Sequence, residues 1–279
     1  MTTHTDFPYS VLLPVYYKDS PEYLKVAVDS MLAQTVFPEE IMLAIDGEIG
    51  EELWAVIRGY QKQYKSLFTV CAYEKNQGLG ALLRKTVPLC RNEYIARMDA
   101  DDWSVSDRIQ KQLEVLKRYP DINVVGSNVN EFENDIRNPL ACVILPEIPE
   151  ENLKFAKRRC PIRHPTLLYK KSDIISAGNY NSIFSLEDYD LIVRMFCCGM
   201  RLYNVQEPLV YMRINRNFYR RRGGFRYLVC MVHLKFKFLK IKFMSLFDFF
   251  ISCGGQTLVI LMPEKMREWF YMKFLRKTI

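Results

Sequence analysis

Residues 9–46 read YSVLLPVYYKDSPEYLKVAVDSMLAQTVFPEEIMLAID. Tyr9–Val15 is an almost unbroken apolar run, which predicts a strand buried on both faces. Pro21–Gln34 sets Leu24, Val28, Met31 and Leu32 at helical spacing, and Pro21 suits a first turn. Glu40–Asp46 predicts a second strand, ending at Asp46-Gly47. The alternation continues outward. Helices are predicted over Glu51–Tyr64, Gly80–Leu89 and Asp107–Arg118, and strands over Leu67–Tyr73, Glu93–Met98 and Ile122–Gly126. Strands and helices that alternate through short connections predict an α/β fold: a mostly parallel, Rossmann-like sheet with helices on both faces. Ligands of such sheets bind beyond the carboxyl ends of the strands. Here those ends are Pro14–Tyr16, Asp46, Asn76 and Asp99–Asp102, which should crowd one rim.

Val129–Pro149 is looser, with strand-like runs. A helix over Glu150–Lys157, a strand over His164–Tyr169, a helix over Glu187–Cys198 and strands over Arg201–Val205 and Leu209–Arg213 complete a body of residues 1–215. Residues 216–279 form a basic, apolar tail. The chain of 279 residues is 49% hydrophobic and 25% charged, which excludes a disordered or low-complexity protein. Its charge is unevenly spread. Residues 201–279 carry 16 basic against 4 acidic residues, a net of +12, whereas the preceding 200 carry 23 against 28, a net of −5. That asymmetry predicts an anionic partner for the tail. The eight cysteines form no C-x-x-C pair and there are three histidines, which argues against zinc. MTTHTDFPYS lacks a cationic and apolar leader pattern, and scattered thiols without an export signal predict a reducing cytosol.

The sharpest chemical feature is Asp99-Ala100-Asp101-Asp102. Three carboxylates in four residues repel one another, and a hard divalent cation or water must neutralise them. The plain alternative is a solvated turn in which Asp102 or Ser104 caps the next helix. Asp46 suits an Asp-Gly turn, but a carboxylate at a strand end can also accept from a base or ribose. In Asn76-Gln77-Gly78-Leu79-Gly80 the glycines would let the backbone approach a phosphate or ribose. Glu187 and Asp188 fall in a first helical turn. There they either complement the helix dipole or face the metal rim, where an exposed carboxylate can serve as a general base. Asp190 and Arg194 read as a surface i,i+4 pair. His164 has no Ser/His/Asp or Cys/His companions.

In order along the chain, SVLLPVYYKD (Ser10–Asp19), IMLAIDG (Ile41–Gly47), EKNQGLGALL (Glu74–Leu83), IARMDADDWSVSDRIQKQ (Ile95–Gln112), HPTLLYKKS (His164–Ser172), AGNY (Ala177–Tyr180) and LEDYDLIVRM (Leu186–Met195) resemble a family 2 glycosyltransferase. The resemblance covers about residues 8–215. It is nearest the branch that builds bacterial exopolysaccharide, capsule and O-antigen, which also ends with RRGG (Arg221–Gly224) and a basic tail. It implies a GT-A fold and inverting transfer of a hexose from a nucleotide-diphosphate sugar to a hydroxyl of a growing, lipid-linked surface glycan. By the same resemblance, Pro14, Val15, Tyr16, Asp46, Asn76 and Gly78 are donor-binding residues. Asp99 and Asp101 bind donor and Mn2+ or Mg2+, with Asp101 the ligand to the metal. Asp188 is the catalytic base, and Glu187 and His164 lie on the acceptor side. Arg84 stands where the family often has Asn, and would contact the diphosphate or point to solvent.

Two other classes fit parts of the chain. A metal-dependent nucleotidyl or phosphoryl transferase would use the same carboxylates, but no G-x-x-x-x-G-K-[ST] loop is present. A nucleic-acid binder would use the interleaved basic and aromatic residues of Arg213–Tyr227, against a net acidic body and no known module signature. The tail itself reads as an interfacial helix over Phe225–Lys242, with Phe225, Leu228, Val229, Val232, Phe236 and Leu239 on one arc and lysines flanking it. Leu234, Phe238 and Ile241 fall on the far face, and Leu234–Phe238 also alternates like a strand. The plain alternative is a helix packed on the body. The longest uncharged run, Phe249–Pro263, has 15 residues, against ~20 for a span. The expectation is a cytoplasmic protein, peripheral on the anionic inner face of the cell membrane, with no nucleic-acid partner.

Overall fold

The computed structural model describes residues 7–214, 223–274 and 276. Arg216 and Arg220–Arg222, read as the start of the cationic tail, lie outside the described residues, as do residues 1–6. Among the described residues the strands are β1 (Tyr9–Tyr16), β2 (Glu40–Asp46), β3 (Phe68–Tyr73), β4 (Tyr94–Arg97), β5 (Trp103–Ser104), β6 (Val124–Phe132), β7 (Ala141–Val143), β8 (Leu168–Lys170) and β9 (Leu202–Arg213). The helices are α1 (Pro21–Leu32), α2 (Glu51–Tyr64), α3 (Leu79–Thr86), α4 (Arg108–Arg118), α5 (Pro149–Ala156), α6 (Lys171–Ser176) and α7 (Glu187–Cys197), then α8 (Phe225–Lys240), α9 (Leu246–Leu261) and α10 (Glu264–Phe274) in the tail.

One sheet runs β3-β2-β1-β4-β8-β6-β9-β5, with β7 on β6. The first four strands are parallel, and the longest ladder of the second half, β6 with β9, is parallel too. β1 is central and its apolar run is buried throughout. Tyr9, Val11, Leu13 and Val15 pack against α1, α2 and α4, and Leu12 packs into the opposite core with α3, α6 and α7. Pro14 is tolerated in this central strand because of where its neighbour stops. The carbonyl of Leu12 accepts from Met98 N at 3.1 Å, so even-numbered residues of β1 address β4. β4 ends at Arg97, and beyond it Pro14 has no ladder bond to lose. The same departure swings Asp99–Asp102 out at the strand end.

Several boundaries differ from the sequence reading. The strand expected over Ile122–Gly126 starts at Val124 and continues to Phe132, into the stretch read as loose. All nine of its residues are buried, polar ones included, because Asn128 Oδ1 accepts from Leu145 N and Glu131 pairs with Arg276. The strand expected over His164–Tyr169 begins at Leu168, since Pro165 supports a 3-10 turn over His164–Thr166. The two strands expected over Arg201–Val205 and Leu209–Arg213 are one, β9, which shifts register against β6 around Pro208.

The tail docks on the body. Met231, Leu234 and Phe238 of α8 pack with Leu186, Tyr189 and Val193 around α7, and the Tyr189 and Phe238 rings meet edge-on at 5.1 Å. The face of α8 expected to point away, Leu234 and Phe238, is therefore the docked one. The expected lipid arc is split: Leu228, Val232 and Leu239 lean on this cluster, while Phe225, Val229 and Phe236 are exposed. Leu234–Phe238 is helical, not a strand. At the far end Arg276 reaches back to Glu131 of β6, and both side chains are fully buried.

Candidate active site

The register of the parallel strands builds one rim. Tyr16 pairs with Asp46, and Asp46 with Tyr73, so the ends of β1, β2 and β3 are level. Asp46 is buried, and it organises the glycine loop. Its Oδ1 accepts from Gln77 N at 2.8 Å, its Oδ2 from Gly78 N at 2.9 Å, and its carbonyl from Asn76 Nδ2 at 3.1 Å. Gly78 has φ +86°, and a Cβ on Gly80 would lie 2.2 Å from the Asn181 carbonyl oxygen. These glycines thus serve backbone conformation and close packing before any ligand is considered. Pro14 and Val15 are buried below the rim, while Tyr16 is partly exposed and stacks edge-on against Tyr17. A cavity of about 350 Å³ opens beside Asp46, lined by Gly47, Trp54 and Tyr73 among others.

At the next strand end, Asp99, Asp101 and Asp102 each bring a carboxylate oxygen within 4.8 Å of the others. The turn that carries them is clamped by Arg213, the last residue of β9. Its backbone N–H donates to Asp102 Oδ1 at 2.8 Å and its Nε to the Asp101 carbonyl at 3.1 Å. Its guanidinium lies 3.8 Å over the Tyr23 ring and 4.4 Å over Phe132. Asp99 pairs with Arg97, which is only 1% exposed. Asp102 is also buried, and its Oδ2 has no hydrogen-bond partner. Burial, then the Asp101 and Asp99 charges, hold its carboxyl well above the usual range. Asp19 joins the group from the β1 side: its Oδ2 accepts from Tyr16 N at 2.9 Å, and burial followed by the Asp101 and Asp99 charges pushes it up to about 7. A buried carboxylate oxygen without a donor, beside two more carboxylates, is a donor set that a hard divalent cation fits. Beneath the turn Arg108 is fully buried and donates to the Arg97 carbonyl at 2.9 Å, and burial lowers its pKa to about 9.

The second acidic group comes from α7. Glu187 is buried and Asp188 half-buried in its first turn. Asp188 Oδ1 accepts from Tyr189 N at 2.7 Å, and the Cys160 thiol faces its Oδ2 at 3.8 Å. Burial, then the Asp188 charge, push Glu187 up to about 7. Arg97 pulls it down and Asp99 pushes it up further. The buried Arg97, paired with Asp99, therefore lies within electrostatic reach of Glu187 as well. His164 is buried, with its Nε2 2.9 Å from the Tyr180 hydroxyl. Burial and the Arg97 charge hold its pKa well below the ordinary value, so it stands neutral.

The structure adds detail at three residues. Arg84 is exposed, and its Nη1 donates to the carbonyls of Gly178 and Tyr180 at 3.0 and 2.9 Å. Asp190 and Arg194 are bonded as expected, but Asp190 is fully buried, because α8 covers it. Asp102 belongs to the acidic cluster as fully as Asp99 and Asp101. Sequence reasoning also missed Asp19 and Arg213. A carboxylate three residues past a strand end was a usable signal for Asp19. Arg213 had none, since only the pairing of β9 with β5 and β6 brings it to the cluster.

The sequence matches the family model described as Glycosyl transferase family 2 over residues 10–179. It is 33% identical over 275 residues to the UDP-Gal:alpha-D-GlcNAc-diphosphoundecaprenol beta-1,3-galactosyltransferase of Escherichia coli, covering 97% of this chain and 98% of that one. It is 30% identical over 265 residues to the amylovoran biosynthesis glycosyltransferase AmsE of Erwinia amylovora, covering 95% and 98%. Among solved structures, S. aureus TarS 1-349 in complex with UDP superposes with a TM-score of 0.63 at 15% identity, covering 95% of this chain and 78% of that one. The mannosyltransferase PcManGT from Pyrobaculum calidifontis, in complex with GDP-Man and Mn2+, does so with a TM-score of 0.64 at 12% identity, covering 91% and 70%. At these identities the two structures share the fold, which is of the GT-A type.

Proposed function

The chain belongs to glycosyl transferase family 2, and from that premise we propose that it moves a hexose, with inversion, from a uridine-diphosphate sugar to a hydroxyl of a diphospholipid-linked glycan. The observation that carries this reading is the Asp99, Asp101 and Asp102 cluster, in which Asp99 pairs with the buried Arg97, together with the Glu187–Asp188 turn, whose Glu187 feels the charges of both Arg97 and Asp99. Sugar transfer needs this division of labour. The acceptor hydroxyl loses its proton as it attacks the anomeric carbon, and the diphosphate departs from the opposite side.

In this reading Asp188 takes the acceptor proton on a carboxylate oxygen. Glu187, pushed up to about 7, donates in its neutral form a hydrogen bond that orients the acceptor. Neutral His164 and Tyr180 wall that side. Tyr16 and Asp46 flank the nucleoside, with Pro14 and Val15 beneath it, and the Asn76–Gly78 loop lies along the ribose. Asp101 and Asp99 would hold Mn2+ or Mg2+, with the unpartnered Asp102 oxygen available as a third donor. When bound, the cation would supply charge stabilisation to the departing diphosphate. Arg213 keeps the cluster in register. Sugar transfer is favoured over nucleotidyl transfer by the family and by the Escherichia coli relative, whose name also suggests UDP-galactose and a GlcNAc-diphospholipid as the first pair to try.

The tail supports attachment to a membrane face. α9 exposes Leu246, Phe247, Phe250, Leu258 and Leu261, and α10 exposes Met266, Trp269 and Phe274. Patches of this kind mark interaction surfaces, and lysines around them suit an anionic leaflet. No described helix is long and apolar enough to cross a membrane. We therefore place the enzyme peripherally on the inner face of the cell membrane, with no nucleic-acid partner.

The test is incubation with UDP-galactose, Mn2+ and a GlcNAc-diphospho-alkyl acceptor, followed by analysis of the product and of its anomeric configuration. A β-linked disaccharide with release of UDP is expected. No metal-dependent binding of any nucleoside diphosphate would overturn the reading, and a retained α configuration would overturn inversion.

A further inference from the structure

The first turn of α7, which carries Glu187 and Asp188, has no side-chain cap at Leu186. It is closed by the bond from Asp190 N to the Leu186 carbonyl at 3.0 Å. The Asp190 side chain is fully buried and tied to three segments. Its Oδ2 accepts from Asn181 Nδ2 at 2.7 Å and from Arg194 Nε at 2.8 Å. Its Oδ1 accepts from Lys237 Nζ at 2.6 Å. Lys237 belongs to α8, the same helix that leaves Phe225 and Val229 exposed on another face and packs Phe238 against Tyr189. One tail helix therefore offers an apolar face to the surroundings and a cation to the turn of the acceptor-side carboxylates.

We propose that Lys237 is a positioning residue for sugar transfer: by holding Asp190 it fixes the first turn of α7, so the tail is a working part of the active site as well as an anchor. This rests on the reading of Asp188 as the base. Asp190 keeps Arg194 and Asn181 when Lys237 is lost, and Lys237 is itself 39% exposed, so its replacement leaves the fold standing. What it removes is the charged tie from α8 to Asp190, while the apolar packing of α8 on α7 stays, and small displacements of a reacting group are costly.

The experiment compares full-length parent, Lys237→Met, Lys237→Arg and Asp188→Asn, with UDP-galactose, Mn2+ and the GlcNAc-diphospho-alkyl acceptor, without vesicles. Lys237→Met is expected to lower kcat by about 10–100-fold, with the Kd for UDP and Mn2+ unchanged and Lys237→Arg restoring most of the rate. Hydrogen exchange over residues 187–190 should rise in Lys237→Met and not over α3, a readout that needs no substrate. Parental kcat and exchange in Lys237→Met, with Asp188→Asn inactive, would overturn this proposal alone. A loss that tracks the melting temperature and is not restored by Arg would also overturn it. Full activity of Asp188→Asn would overturn the base assignment beneath it.

Discussion

Asp101 and Glu187 are acidic residues whose loss should have opposite signatures. Asp101 stands among three mutually repelling carboxylates, so Asp101→Ala should relieve strain in the metal-free protein while removing a ligand. Transfer at saturating Mn2+ should vanish, and the melting temperature should hold or rise. Normal turnover would show that Asp101 is not needed. Glu187 is a matter of protonation. Burial, then Asp188, raise its carboxyl from 4.5 to about 7. The folded state therefore holds the proton more tightly than the unfolded chain. The stabilisation is complete below about pH 4.5 and is lost as pH rises through about 7. Melting curves of parent and Glu187→Gln should thus diverge across this window, with the variant gaining relative stability toward pH 8. Parallel curves would mean that Glu187 is ionised throughout.

The tail helices are two-sided elements, and that dictates how membrane binding must be tested. Removing the tail would bare Leu186, Tyr189 and Val193 and strip Lys237 from Asp190, so a truncated chain would report on misfolding. Substitution on the exposed face of α9 avoids this. Phe247 and Phe250 are 68% and 69% exposed, so Phe247→Ser with Phe250→Ser should leave the melting temperature alone. Flotation of the parent with anionic vesicles at low salt is expected, with weaker flotation on neutral vesicles or at high salt. Each basic residue near an anionic surface contributes about 1 kcal/mol. The double variant should float less under every condition. A parent that ignores anionic vesicles would refute attachment.

Across the whole molecule, the Glu131–Arg276 pair joins the middle of the sheet to the end of the tail. Both side chains are fully buried, and Arg276 donates to both Glu131 oxygens at 2.6 Å. Losing one partner leaves the other as an uncompensated buried charge, a cost of about 3–5 kcal/mol. Arg276→Met should therefore lower the urea midpoint of the whole chain in one cooperative transition, and adding Glu131→Gln should recover part of the loss. Unfolding in two steps, with the body unaffected, would instead make the tail a separate unit.

Local pattern alone determined much of this protein. The apolar run of β1, the helical spacing of α1 and the crowding of Asp99, Asp101 and Asp102 are properties of neighbours in the chain, and hydrophobic burial and Coulomb repulsion act on them wherever they lie. The rim and its acidic groups were legible for that reason. What depends on distant partners was not. The far half of β6, from Val129 on, read as loose because Asn130 and Glu131 look exposed until β7 pairs with the strand and Arg276 neutralises Glu131. Asp190 read as a surface ion pair until α8 covered it, and Arg213 read as a strand end with nothing local to tie it to the acidic turn. Which face of α8 docks was decided by the surface of α7, because a helix with apolar residues on two faces does not by itself say which one packs. Complementary packing selects one, and only the folded body supplies it.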